Sequence, residues 1–236
     1  MAELVGTAPA RVLAVHAHPD DPEISCGGTL ATWAKAGSEV HVLICTRGEK
    51  GSPDPKQDPD KLAAIRQEEM AAAAEVLGLA GHRSLDIDDG ELENTVELRG
   101  QIVSVIREVK PDLVVCPDPT AVFFGNSYYN HHDHRATGWA ALDAVAPAAG
   151  NPHYFPEAGP VHSVGAVYLS ATLEPDVWVD VSDTLDVKIE ALFRHASQLT
   201  ETGEFFRAFL RERAEEGGRA AGVRYAEGFR RLTLLG

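Results

Sequence analysis

Cysteine and methionine are scarce in this chain of 236 residues: it has three Cys and two Met. The cysteines, Cys26, Cys45 and Cys116, are odd in number and lie in or beside apolar segments. That excludes a disulfide framework and a Cys-type zinc site, and points to reduced core residues. Basic residues are also few, with 21 Lys and Arg against 36 Asp and Glu, a net charge of −15. Nucleic acids and anionic membranes need clustered cations, so neither is expected as a partner. No apolar run reaches the eighteen or so residues that span a bilayer, and no basic-then-apolar leader opens the chain. The expectation is a cytoplasmic protein without membrane insertion. Ordinary apolar and charged fractions, 44% and 24%, suit one globular domain over residues 1–236.

What is present is an alternation of strands and helices. Short runs rich in β-branched residues predict strands at 11–17, 39–45, 82–87, 112–116, 164–169 and 177–181. Helical periodicity predicts helices at 26–37, 61–78 and 95–109, another from the 131–134 histidines to about Val145, one after Ser182-Asp183, and a last one from Gly203. Leu62, Ile65 and Met70 mark the apolar stripe of the second helix, and Phe205, Phe206, Phe209 and Leu210 that of the last. Strands alternating with helices predict an α/β, Rossmann-like domain: a mostly parallel sheet with helices on both faces. Ligands of such sheets bind beyond the carboxyl ends of the strands. The loops expected there include 18–21, 46–59, the turn at Asp89 and the aromatic segment 117–130.

Two of these loops carry residues that packing does not require. The first strand ends in His18-Pro19-Asp20-Asp21. His18 and Asp21, three apart across a proline-braced turn, can face one ion while Asp20 faces a neighbouring position. Asp20 or Asp21 could instead simply cap the following helix. The fourth strand leads to His131-His132-Asp133-His134, where His131 and His134 can share one face; a solvated helix start capped by Asp133 is the plain alternative. Together His18, Asp21 and His134 make a His-Asp-His set with an open fourth position, the composition of a hydrolytic zinc site. Asp20 is then placed to accept a proton, and His131 to donate one or stabilise an oxyanion, with Asp133 orienting its ring. His162 and His195 are isolated and read as structural. A Gly27-Gly28 pair allows close approach of a ligand or a neighbouring strand but lacks the dinucleotide spacing.

These pieces resemble the PIG-L/LmbE-like zinc-dependent deacetylases, which remove acetyl groups from N-acetylglucosaminyl compounds and related amides. The likeness rests on 17–21, the Cys26-Gly27-Gly28-Thr29-Leu30 helix start, Thr46-Arg47-Gly48-Glu49, Arg66 with Glu69, Asp89-Gly90 and 131–134. It continues through Lys188, His195-Ala196-Ser197-Gln198 and the segment 225–230, so it covers nearly the whole chain. The resemblance implies zinc on His18, Asp21 and His134, with Asp20 as base and His131 as its protonated partner; nitrogen and oxygen donors would equally suit iron(II). It further implies Tyr129 on the substrate carbonyl, substrate contacts from Arg47 and Asp89, and an N-acylated amino sugar or conjugate as substrate. Pro22 and His132 depart from the family's usual acidic residue and proline. The loop 47–59 and the segment 123–130 are expected to wall the site. A homo-oligomer is compatible with all of this. Two competing readings stand beside the deacetylase: a non-catalytic module that keeps a metal for structure, and an amidase acting on a non-sugar secondary metabolite.

Overall fold

A computed structural model describes residues 3–199 and 202–234. In chain order its elements are β1 (Glu3–Leu4), β2 (Arg11–His16), α1 (Asp21–Lys35), β3 (Glu39–Thr46), α2 (Pro59–Leu77), β4 (Gly81–Ile87), α3 (Val96–Val109) and β5 (Leu113–Pro117). A two-strand hairpin follows, β6 (Phe123–Phe124) and β7 (Tyr128–Tyr129), then α4 (His132–Asp143). The chain ends with β8 (Ala166–Ser170), β9 (Val177–Asp180), α5 (Leu185–Leu192), α6 (Gly203–Ala221) and β10 (Ala226–Thr233).

One eight-stranded sheet organises these elements, in the order β1-β9-β10-β8-β5-β2-β3-β4. β2 pairs in parallel with both β3 and β5, and β8 with β5; β10 runs antiparallel to β8 and β9. Along β2 successive side chains alternate between faces. Leu13 and Val15 enter a core shared with α3 and α4, whereas Val12 and Ala14 enter one shared with α1. Burial on both faces explains the unbroken apolar runs of β2 and β3. The α/β, mostly parallel architecture expected from the sequence is therefore present, and all three cysteines are buried and free. Among the described residues no helix is long and apolar enough to cross a membrane.

The structure corrects several element bounds. α1 begins at Asp21, five residues before the expected start, because Pro22 suits the first helical turn. Thr184, without a side-chain cap bond, precedes α5 in place of the expected Ser182-Asp183 cap. Strands β1 and β10 were not foreseen, and the 123–129 segment expected as loop forms the β6–β7 hairpin. On α2, Ile65 is 44% exposed and Arg66 only 3%, so the charged neighbour replaces the isoleucine on the buried face. On α6, Leu210 is buried but Phe205 is 65% exposed, which removes it from the core. The Gly27-Gly28 pair serves packing. A Cβ on Gly28 would meet Val181 at 3.0 Å and Glu227 Oε1 at 3.1 Å, so the pair admits neighbouring elements, not a ligand.

Candidate metal centre and active site

The tight turn between β2 and α1 sets the first half of the site. Asp20 sits at φ 107°, a left-handed conformation unusual for a residue with a side chain, and its carboxylate makes no cap bond to the helix. Buried Arg66 holds the turn from below, donating to the Pro19 and Gly48 carbonyls while its Nη2 lies 3.2 Å from Asp20 Oδ2. The capping role considered for Asp20 and Asp21 is therefore not what their side chains do. Asp21 Oδ2 accepts from the His18 backbone N–H at 2.8 Å.

The second half comes from α4. His134 is in the first turn of the helix, and its Nε2 lies 3.0 Å from Asp21 Oδ1 and 3.3 Å from His18 Nδ1. His18 Nδ1 in turn lies 3.3 Å from Asp21 Oδ2. Donor atoms on a tetrahedral ion with bonds of 2.0–2.1 Å would sit roughly 3.3 Å apart. The far nitrogen of each ring is also engaged. His18 Nε2 faces Asp89 Oδ1 at 3.1 Å and Asp133 Oδ2 at 3.3 Å, and His134 Nδ1 faces Asn130 Oδ1 at 3.0 Å. An acceptor on the outer nitrogen is the usual support of a metal-binding imidazole. Two other sets converge on His18, one with His131 and His134, the other with Asp89 and Asp133. The first would take His131 through Nε2, because its Nδ1 already accepts from the Asp133 backbone N–H at 3.2 Å. The second would use the outer nitrogen of His18. His18, Asp21 and His134 lie at similar separations, and their nitrogen and carboxylate donors suit a divalent metal.

Charge supports that fit. Burial opposes protonation of His18, but Asp21, Asp133 and Asp89 outweigh it and push its pKa up to about 12. His134 shifts upward in the same way, burial opposing and Asp21 prevailing. Three carboxylates, Asp21, Asp89 and Asp133, thus demand positive charge at the centre. Asp20 behaves differently: burial raises it, Arg66 lowers it, Asp21 raises it again, and its pKa settles at about 6.

A cavity of about 420 Å³ opens over this cluster, lined by His18, Asp20, Arg66, Asp89, His131 and Gln198 among others. The Asp133 backbone N–H on His131 Nδ1 makes that nitrogen an acceptor, so the neutral ring carries its proton on Nε2. Burial first, then the neighbouring His18 charge, lowers the His131 pKa. Asp133 does not orient this ring with its carboxylate as expected; Oδ2 accepts from Gly90 N–H at 2.7 Å and faces His18 instead. Asp89 lines the cavity as well as supporting His18.

Two expected residues stand away from the cavity. Arg47 is taken up by Asp60 at 3.0 Å and Asp88 at 2.8 Å, tying loops together. Tyr129 is 58% exposed, and its hydroxyl accepts from Arg135 Nη2 at 2.7 Å. Of the two expected walls, the 47–59 loop contributes Lys50 and Gly51 to the lining, whereas no residue of 123–130 is in it. Sequence reasoning missed Arg66 and Asn130 as site residues. A charged residue four after Leu62 and four before Met70 falls on a buried helical face, which was a readable sign for Arg66. Asn130 gave none, since its role depends on which way the hairpin delivers α4.

Comparison with known proteins now adds to this geometry. Residues 13–145 match the PIG-L family model, described as GlcNAc-PI de-N-acetylase. The chain belongs to this family. It is 38% identical to a diacetylchitobiose deacetylase of Thermococcus kodakarensis, over 93% of this chain and 82% of that one. It is 32% identical to a 1D-myo-inositol 2-acetamido-2-deoxy-alpha-D-glucopyranoside deacetylase of Rhodococcus jostii, over 80% of this chain and 82% of the relative. In structure it superposes on an N,N'-diacetylchitobiose deacetylase from Pyrococcus horikoshii with a TM-score of 0.87 and 33% identity, covering 95% of this chain and 84% of that one.

Proposed function

We propose that this protein is a metal-dependent deacetylase that hydrolyses the acetamide of an N-acetylglucosamine-type sugar or conjugate. His18, Asp21 and His134 would hold zinc, or iron(II) where air is excluded, since nitrogen and oxygen donors suit either. A divalent metal there would supply Lewis acidity, polarising the amide carbonyl and making water acidic enough to ionise near neutral pH.

The chain's own residues divide the remaining work. Asp20 accepts the proton that the attacking water gives up as its oxygen bonds to the carbonyl carbon. Arg66 fixes one carboxylate oxygen of Asp20 and leaves the group in a basic, water-accessible position over the cavity. The C–N bond then breaks, and the departing nitrogen takes back the proton that Asp20 accepted, giving acetate and a free amine. His131 Nε2 offers a hydrogen bond to charge developing on the carbonyl oxygen. Asp133 and Asp89 keep His18 aimed inward. We further read residues 1–236 as one cytoplasmic catalytic domain acting on a small molecule. Arg47 serves as a loop tie in this reading.

The observation that carries the proposal is the meeting of His18, Asp21 and His134 with a partly exposed base, Asp20, and a cavity-facing imidazole at one opening, in a member of a deacetylase family. The test is acetate release from N-acetylglucosamine and diacetylchitobiose by metal-loaded protein, repeated with a chelator. Chelator-sensitive release is expected. Metal-loaded protein that releases no acetate from either sugar while cleaving a non-sugar amide would contradict the sugar assignment, and activity that survives complete metal removal would contradict the metal.

A further inference from the structure

One side chain of the cavity comes from late in the chain. Gln198 lines the opening together with Gly51 and Arg66. It closes a single helical turn, Ala196–Gln198, between α5 and α6, beyond the residues 13–145 that match the family model. Glu69 of α2 holds that turn. One of its carboxylate oxygens accepts from the Ser197 backbone N–H at 2.7 Å, and the other from the Ser197 hydroxyl at 2.7 Å. The Ser197 oxygen accepts in its turn from Gln198 Nε2 at 3.0 Å.

These contacts have one polarity. A carboxylate only accepts, so the Ser197 proton goes to Glu69 and the Ser197 oxygen keeps its lone pairs for a donor. Only the nitrogen end of the Gln198 amide can serve it, which turns the carbonyl oxygen away from Ser197. That oxygen lies beside Gly51: a Cβ there would fall 2.7 Å from Gln198 Oε1 and 2.7 Å from Arg66 Nη1, so a residue without a side chain is what leaves it open. Oε1 accepts from none of the described residues and is not shut off from solvent. The lining cations, Lys50 and Arg66, already donate to protein carbonyls and carboxylates. Gln198 therefore adds a fixed, uncharged acceptor to the wall, and the donor a sugar brings to such a group is a hydroxyl.

We propose that Gln198 is a specificity-determining residue whose amide oxygen accepts from one ring hydroxyl of the sugar, and that Ser197, braced by Glu69, is the positioning residue that fixes the amide in that sense. The assignment rests on the deacetylase reading above. This hydrogen bond is made away from the reacting amide, so it holds substrate and transition state alike and acts through KM. An analogue without the hydroxyl leaves the acceptor unpaired, which is how such a site discriminates. Without the Ser197 hydroxyl the amide is free to turn over, and the discrimination goes with its fixed polarity.

The experiment uses metal-loaded wild type, Gln198→Leu, Ser197→Ala and Ser197→Thr. The substrate is whichever of N-acetylglucosamine and diacetylchitobiose the wild type cleaves faster, beside its 3-, 4- and 6-deoxy analogues at the reacting ring; kcat, KM and metal content are read. Wild type should prefer the parent sugar to one of the deoxy analogues by about tenfold in kcat/KM, carried by KM. In Gln198→Leu that preference should shrink to within about twofold, with metal retained and the preferences over the other analogues standing. Ser197→Ala, in which the backbone N–H still meets Glu69, should lose most of the same preference, and Ser197→Thr, which keeps a hydroxyl, should restore it. A Gln198→Leu protein that slows every sugar equally and keeps the preference would make Gln198 a packing residue and overturn the assignment, as would a wild type indifferent to each of these hydroxyls. A Ser197→Ala protein with the full preference would overturn the positioning role. A wild type that cleaves neither sugar would overturn the deacetylase reading and the assignment together.

Discussion

Two buried polar clusters sit against α1, and they balance charge in different ways. Near the middle of the helix, Glu227 from β10 accepts from the Gly28 and Thr29 backbone N–H groups and from Lys188 of α5. One carboxylate meets one ammonium, and both side chains are about 95% buried. At the start of the helix, Asp20, Asp21, Asp89 and Asp133 crowd around His18 and His134. There Arg66 is the cation paired with one of these carboxylates, and the imidazoles take up protons to compensate. The first cluster is complete as it stands and joins three elements. The second has more negative charge than its own side chains neutralise, and it opens onto a cavity. Burial alone does not distinguish a structural ion pair from a reactive centre; the surplus of one sign and the access to solvent do.

Each cluster should therefore fail in its own way. His134→Ala removes a metal donor from the open cluster. Metal content and activity should fall together, with the rate reduced on the order of 10³ or more as the acidity of water returns towards its bulk value. Thermal stability in the metal-free state should change little. Metal analysis by mass spectrometry, rate assays and a melting curve check this.

Lys188→Met should do the opposite. It leaves a buried carboxylate without its partner, costing about 3–5 kcal/mol of stability. Activity per folded molecule should survive below the lowered melting temperature, measured by denaturant titration beside active-site metal content. A smaller effect is expected from Asn130→Ala. It frees the outer nitrogen of His134 and should weaken metal binding by about 10–100-fold, with chemistry intact at saturating metal. Competition with a chromogenic chelator would read it.

The pairing within the closed cluster was not readable in the sequence, although Lys188 and the segment 225–230 carry part of the family likeness, whereas the open cluster stood out. His18, Asp20, Asp21, His131 and His134 stand out because they are polar residues in short stretches at predicted strand ends, where packing has no use for them. The parallel sheet was legible from its continuous apolar strands. Glu227 and Lys188, by contrast, lie 39 positions apart on elements of ordinary composition, and β10 departs from the strand–helix alternation that exposed the others. Side-chain roles within the open cluster were only partly readable. Asp133 supports His18 and not His131, because α4 starts by using His131 Nδ1 as its cap, and that geometry follows from the helix's entry angle. Arg47, given a substrate contact by the family likeness, is instead taken up by Asp60 and Asp88.

The claim at the centre of this account is that adjacent Asp20 and Asp21 do different things because the turn points them in different directions, one to Arg66 and the cavity, the other to two imidazoles. Metal content measured beside the initial rate of acetate release, in Asp20→Asn and Asp21→Ala, tests it directly. Asp20→Asn should retain its metal and lose on the order of 10² to 10⁴ in rate, the size of an acid–base contribution. Asp21→Ala should lose metal and activity together. An Asp20→Asn protein stripped of metal, beside an Asp21→Ala protein that retains it, would contradict the division.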